Sequence, residues 1–211
     1  MKQSKISNNV IRRLPRYLRK LDELISKGQE RVSSSELAAQ LGLTSSQIRQ
    51  DLSCFGGFGQ QGYGYNVQSL RDAVAGILGI DKGHNAILVG VGNIGRALMC
   101  NFDFETWGFK LCCGFDTNPE RIGESYNGIP VLDDKDLENY LRDNPVDVAV
   151  LTVPKTVAAP VAKQLADCGV KAIWNFTNVE IELPRDKIIV ENMHFSDSLL
   201  ALSYHISRAE D

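Results

Sequence analysis

Apolar residues in the first third of the chain recur at helical spacing. Val10, Ile11, Leu14, Tyr17, Leu18, Leu21, Leu24 and Ile25 follow one another three and four apart, which predicts an amphipathic helix over 10–26. Its other face carries Arg12, Arg13, Arg16, Arg19 and Lys20, and Pro15 in its first turns predicts a late start or a kink. Two capping boxes come next. Ser33 to Glu36 opens a short helix that Gly42 ends, and Thr44 to Gln47 opens another through Ile48, Leu52 and Phe55. Two short helices joined by a Gly-containing turn are a helix-turn-helix, although such hairpins also occur as plain packing modules, so both readings stand. If the pair reads DNA, the second helix presents Ser45, Ser46, Gln47, Arg49 and Gln50 to a major groove and turns Ile48, Leu52 and Phe55 inward. The glycine-rich stretch 56–65 predicts a short hairpin where a winged domain has its wing. Gln60, Gln61 and Gly62 at its tip suit a minor groove, whereas Phe58, Tyr63 and Tyr65 read as packing residues. Asn66 then caps a linking helix, Val67 to Leu78, with Leu70, Val74, Ile77 and Leu78 as its buried stripe, and 79–83 predicts a hinge.

Beyond the hinge the pattern changes to short continuous apolar runs separated by helical stretches, which predicts an α/β domain with a parallel sheet. The run Ala86 to Val89 feeds into Gly90-Val91-Gly92-Asn93-Ile94-Gly95 and then a helix beginning Arg96-Ala97-Leu98. Gly90 permits the turn, Gly92 lets a pyrophosphate approach the backbone, and Gly95 lets helix and strand pack closely. A second strand, Leu111 to Phe115, ends in Asp116, about 20 residues on, where an acid binds adenosine ribose hydroxyls. A carboxylate there repels a 2′-phosphate, so the expected ligand is NAD+/NADH rather than its phosphorylated counterpart. The competing reading is a glycine turn in a doubly wound fold that binds no dinucleotide. Asp147 to Thr152 predicts another buried strand, placing Thr152, Val153 and Pro154 where open sheets bind ligands. Lys171 to Asn175 predicts a further one, with Asn175 and Phe176 facing the nicotinamide half. Arg121 either helps hold the adenosine or pyrophosphate or is a solvated surface residue. The terminal stretch 196–208 predicts a helix with an apolar face of Leu199, Leu200, Leu202, Tyr204 and Ile206, which needs a partner.

Charge sharpens the division. Residues 1–80 carry eleven Lys+Arg against six Asp+Glu, a net of +5, so the remainder holds −8 within the total of −3. A basic head on an acidic body is expected when one domain meets a polyanion, although domains also vary in surface charge without function. The five cysteines form no C-x-x-C pair, and their odd number argues against a disulfide framework. Cys54, beside the reading helix, could in principle sense oxidants, but a lone cysteine without a basic neighbour is a poor candidate. No metal-ligand spacing, membrane-length apolar run or signal-peptide core is present, so a cytoplasmic protein without a metal is expected.

Residues 46–59, 62–65, 89–98, Leu151-Thr152-Val153-Pro154, 169–176 and Val190-Glu191-Asn192 together resemble the Rex family of redox-sensing transcriptional repressors, in order from about Arg12 to Tyr204. The resemblance implies a winged helix-turn-helix domain over 1–80, a Rossmann-like doubly wound parallel sheet binding NAD(H) over 84–192, and a C-terminal helix over 193–211 exchanged within a homodimer. It implies a repressor that binds an inverted-repeat operator and is released when NADH replaces NAD+. It also brings residues near His194 and Phe195 toward the partner subunit's nicotinamide pocket. A ligand must favour one conformation to shift a switch, and apolar Phe176 with the partner subunit's Phe195 would favour the neutral reduced ring. Many relatives have Tyr at Phe102 and Asp at His194, which with an Arg at Arg19 form an interdomain switch contact. This chain cannot make that contact the same way, so either the switch is rewired, with pH sensitivity, or His194 is a plain surface or interface residue. Gln50, Gln60 and Gln61 stand where many relatives carry Lys or Arg, which predicts a flatter salt dependence and an altered operator preference.

Two other classes compete. A dehydrogenase needs an acid/base at the nicotinamide, but His84 lies before the first strand, on the wrong end of the sheet, and His205 falls on the terminal helix. The roughly 130 residues after the hinge are also few for a dinucleotide and a substrate domain, so no enzyme and no catalytic residues are expected. The second is an NAD(H)-binding sensor or scaffold with weak or no specific DNA binding.

Overall fold

The computed structural model describes residues 6–56, 59–60 and 63–209, with 59, 60 and 209 as backbone only. The chain divides into two compact units, Met1–Lys82 and Gly83–Asp211.

In the first unit α1 (Asn8–Ser26) starts at Ser7, whose hydroxyl accepts from the Val10 amide, and runs unbroken through Pro15. The expected late start does not occur. β1 (Arg31–Val32) is an unanticipated strand. α2 (Ser34–Leu41) carries the full capping box of Ser33 and Glu36 and ends at Gly42 in the left-handed conformation. α3 (Ser45–Ser53) is capped from one side only, by Thr44 Oγ1 on the Gln47 amide. It stops short of Phe55, which lies in the following turn. β2 (Gly59–Gln60) and β3 (Gly64–Asn66) form the predicted hairpin, and β3 also pairs antiparallel with β1. α4 (Val67–Leu78) has its N-cap at Asn66, as read, but buries Val67, Leu70, Val74 and Ala75, leaving Ile77 and Leu78 half-buried. The core between these helices is Leu14, Tyr17, Leu18, Leu21, Leu37, Ile48, Leu52 and Leu70.

The second unit is a doubly wound sheet. Its strands are β4 (His84–Val89), β5 (Phe109–Asp116), β6 (Ser125–Tyr126), β7 (Ile129–Asp133), β8 (Val148–Leu151), β9 (Ala172–Asn175) and β10 (Ile189–Asn192). Their order is β10-β9-β8-β4-β5-β7-β6, parallel throughout except for the β6–β7 hairpin. The order reverses between β4 and β8, so the carboxyl ends of these neighbours form the switch point. His84 lies within β4 rather than before it, still at the amino end. α5 (Asn93–Asn101) follows the glycine turn, and one apolar face packs Leu88, Val91, Met99, Phe104 and Val150. α6 (Leu137–Asp143) and α7 (Lys155–Asp167) cover the other face over Ile87, Phe115, Leu151 and Ile173. α8 (Phe195–Ala209) closes the chain. Among the described residues no helix is long and apolar enough to cross a membrane, and no group of three His, Cys, Asp or Glu is placed to hold a metal.

Candidate functional site

Each fingerprint glycine has its own steric reason. Gly90 has φ +96°, and a Cβ there would lie 2.8 Å from the Val153 amide and 2.9 Å from the Thr152 carbonyl carbon. At Gly95 a Cβ would meet the Gly90 carbonyl oxygen at 2.3 Å. Gly92, by contrast, faces open space, with nothing within 4 Å of where its Cβ would be. Two glycines therefore permit packing within the protein, and one leaves room for something outside it. Gly92 is also the N-cap of α5, and no side chain caps that helix, so its first-turn amides present donors and the positive end of the helix dipole. This donor set fits a pyrophosphate. Thr152 donates its hydroxyl to the Gly90 carbonyl at 2.6 Å, joining the end of β8 to the turn, and Val153 and Pro154 lead into α7. Asn93 and Arg96 are exposed and hydrogen-bonded to each other, and Ile94 is 42% exposed at the mouth.

Asp116 ends β5 as read, but its carboxylate is not free. Oδ2 accepts from the Val91 amide at 2.7 Å and from Arg121 Nη1 at 3.0 Å, and Oδ1 accepts from the Asn118 amide at 2.8 Å. Arg121 is thus a neighbour of Asp116 and not an isolated surface residue. A carboxylate oxygen accepts two hydrogen bonds, so Oδ1 keeps one acceptor position for a ribose hydroxyl.

At the other end of the switch point the amide of Asn175 is saturated. Its Nδ2 donates to the Val179 carbonyl and to Asn192 Oδ1, both at 2.7 Å, while Oδ1 accepts from the Thr177 amide and hydroxyl. Both donors and both acceptor positions of the Asn175 side chain are thus engaged within the protein. The bonds continue from Asn192 to Glu180 at 2.7 Å and from Glu180 to His194 at 2.9 Å. A polar chain therefore links the ends of β9 and β10 to the start of α8. Asn192 and Glu180 were not singled out as site residues, and only their tertiary partners mark them. Phe176 lies against this chain, with Trp174 edge-on at 4.5 Å and Phe195 at 6.1 Å. Phe102 caps α5 and packs on Phe104 and Trp174.

In the first unit Ser46, Arg49 and Gln50 of α3 are exposed, and Ser45 and Gln47 are half-buried. Arg49 reaches back to Ser34 Oγ at 3.1 Å. Gln60 is described by its backbone in β2, and Gln61, Gly62 and Phe58 lie outside the described residues. Tyr63 is 69% exposed, correcting its reading as a packing residue, while Tyr65 is buried as read. The basic face of α1 is largely engaged. Arg16 caps the last carbonyl of α2, at Leu41, from 2.7 Å, Lys20 pairs with Glu23, and Arg13 forms a two-pronged pair with Asp51 at 2.6 and 2.7 Å. Arg19 is exposed. Asp51, also not foreseen, lies on the inner face of α3, 2% exposed, and accepts a third bond from Tyr17 at 2.5 Å. Burial alone would raise its carboxyl pKa, but the bonds from Arg13 and Tyr17 outweigh that and hold it below the usual value.

A winged helix-turn-helix and a dinucleotide cradle in one chain define a ligand-responsive DNA-binding protein. Residues 5–53 match a family model described as "Putative DNA-binding protein N-terminus", and 81–179 match the "CoA binding domain" model. The redox-sensing transcriptional repressor Rex of Thermoanaerobacter pseudethanolicus is 46% identical over 209 residues, 99% of this chain and 93% of that protein. The chain belongs to the Rex family of redox-sensing transcriptional repressors. Two crystal structures of the repressor RSP are similar throughout. One, with NAD+ and operator DNA, has a TM-score of 0.91 at 45% identity, covering 98% of this chain and 95% of that one. The other, with NADH, has a TM-score of 0.91 at 42% identity and covers 98% and 97%.

Proposed function

We propose that this protein is a cytoplasmic homodimeric repressor that binds an inverted-repeat operator through α3 and the β2–β3 wing and releases it when NADH binds the cradle around Gly90, Gly92 and Gly95. The observation that carries this reading is the open, uncapped start of α5 at Gly92, in a chain that also carries a winged helix-turn-helix. RSP, similar over nearly the whole chain, binds NAD+ with operator DNA in one structure and NADH in another. The fingerprint amides hold the pyrophosphate, Asp116 the adenosine ribose, and Phe176 lines the nicotinamide end. Asn175 acts there by fixing the loop 176–192 rather than by touching the ring.

The dimer reading draws on α8. Phe195, Leu199, Leu202 and Ile206 form one apolar line along the helix, and Leu200 with Tyr204 forms a second, about 150° further round. All six are more than half exposed within the chain. The single apolar face expected from the sequence is therefore two, as suits a helix wedged between two surfaces of a second subunit.

A mobility-shift titration on an inverted repeat from the gene's own promoter tests the function, with apo protein, NAD+ and NADH compared at fixed salt. Selective release by NADH is expected. Binding indifferent to NADH, or none above a scrambled duplex, would sink the reading. Asp116 supplies a second test. In Asp116→Asn the repelling charge is gone and Arg121 loses its partner, leaving a guanidinium able to pair with a 2′-phosphate. The preference for NADH over NADPH, measured by fluorescence titration, should fall by about tenfold or more, equivalent to about 1.4 kcal/mol. An unchanged ratio would remove Asp116 from the specificity site.

A further inference from the structure

Arg31 alone among the arginines whose contacts are described in the first unit combines a backbone hydrogen bond with an aromatic ring contact. Arg13 and Arg71 pair with carboxylates, Arg16 caps a helix and Arg49 bonds a serine hydroxyl. Arg31 is exposed on β1 and has no carboxylate partner among the described residues. Its side chain is nevertheless held in place. Nη1 donates to the Tyr63 carbonyl at 3.2 Å, and the guanidinium lies 6.0 Å from the centre of the Tyr63 ring. Its backbone is fixed as well, because β1 pairs with β3 in the register Arg31 to Asn66, and Gln29 donates to its carbonyl. One N–H of five is engaged, which leaves a fork of donors facing solvent beside an exposed phenol.

The location matters as much as the geometry. Tyr63 immediately precedes β3, the return strand of the wing, and Arg31 reaches its carbonyl from β1, the strand paired with β3. Arg31 therefore stands at the root of the wing. We infer that Arg31, oriented by Tyr63, is a phosphate clamp that grips the DNA backbone beside the groove the wing enters, a contact that sets affinity and register without reading sequence. This rests on the DNA-binding reading above. A planar guanidinium, already ordered by a carbonyl and a ring, binds a phosphodiester without paying most of the side-chain entropy that an unrestrained Arg loses.

The test is fluorescence anisotropy on the promoter inverted repeat and on a scrambled duplex of equal length over a series of salt concentrations. The proteins compared are wild type, Arg31→Ala, Arg31→Lys and Tyr63→Ala. One phosphate contact contributes about 0.9 to the slope of log affinity against log salt. Arg31→Ala should therefore flatten the slope by about 0.9 on both duplexes and weaken both to a similar degree, about tenfold at low salt. Arg31→Lys should restore the slope, since the charge returns. Tyr63→Ala should keep the slope and lose part of the affinity, since the guanidinium stays charged and keeps the backbone carbonyl but loses the ring that helps to order it. If wild type binds and Arg31→Ala leaves the slope unchanged, the clamp is wrong. A loss confined to the promoter duplex would also overturn it, because that is base readout. Failure of wild type to prefer the promoter repeat would instead count against the DNA-binding reading itself.

Discussion

Replacing Gly95 with alanine should abolish the response to NADH while leaving operator binding in place. The new Cβ would sit 2.3 Å from the Gly90 carbonyl oxygen and 3.0 Å from both Leu88 Cδ2 and Thr152 Oγ1. Gly90 cannot readily retreat, because even a Cβ on it would lie within 2.8–2.9 Å of the Thr152–Val153 backbone and its carbonyl is held by the Thr152 hydroxyl. The start of α5 must move outward instead. That overpacking costs about 1–3 kcal/mol of stability in the second unit. It also carries the first-turn amides away from the pyrophosphate. Losing two such charge-assisted bonds, at about 1.5 kcal/mol each, corresponds to a fall in NADH affinity of roughly a hundredfold. Gly92→Ala is the companion variant. Its Cβ touches no protein atom, so stability should be unchanged while NADH binding still falls, because the space it enters is the ligand's. Calorimetric titration with NADH, a thermal melt and a mobility shift separate these effects. A Gly95→Ala protein that binds NADH like wild type would refute the cradle.

Asp51→Ala should have the opposite profile, with DNA binding lost and NADH binding kept. It removes the acceptor for both prongs of Arg13 and for the Tyr17 hydroxyl, and Tyr17 is fully buried. Breaking a buried pair from one side costs about 3–5 kcal/mol, because the remaining charge has no compensation. That is a large share of the 5–15 kcal/mol typical of a whole domain. Because Asp51 lies on the reading helix itself, the loss should appear as misplacement of α3 even where the unit stays folded. Acid should reproduce part of the effect. The Asp51 pKa is lower in the folded protein than in the unfolded chain, so its stabilisation is full above about pH 4, the ordinary carboxylate value, and fades as pH falls through the lower folded value. Urea melts of wild type and Asp51→Ala should therefore differ most near neutral pH and converge toward pH 3. A constant difference across that range would show that the charge of Asp51 contributes nothing.

These two sites also mark the boundary of what the amino-acid order reveals. The cradle was legible because its parts are local. Strand, glycine turn and helix lie within about fifteen residues, and the steric demands at Gly90 and Gly95 are met by near neighbours and the adjacent strand. The caps at Ser33 and Asn66 were legible for the same reason. Asp51 was not, since an acid between Gln50 and Leu52 looks solvated until Arg13, 38 residues earlier, is brought against it. Asn175 likewise reads as a free amide at a strand end, and only its contact with Asn192, 17 residues away, uses up its donors. β1 has two residues, too few for a period, and exists because β3 pairs with it. Tyr63 looked like core because alternation in a glycine-rich hairpin does not say which face is covered.

On the proposed homodimer reading, the two apolar lines of α8 tie folding to assembly. Six large side chains are exposed in the single chain, and on the homodimer reading proposed above a second copy covers them, so that mass action links the stability of this helix to concentration. A cell that makes few copies would hold a fraction of them as incomplete monomers, with one α3 and so one half-site each. Synthesis rate and nicotinamide ratio then act on the same equilibrium. Repression at a given operator becomes a joint readout of redox state and of the repressor's own abundance.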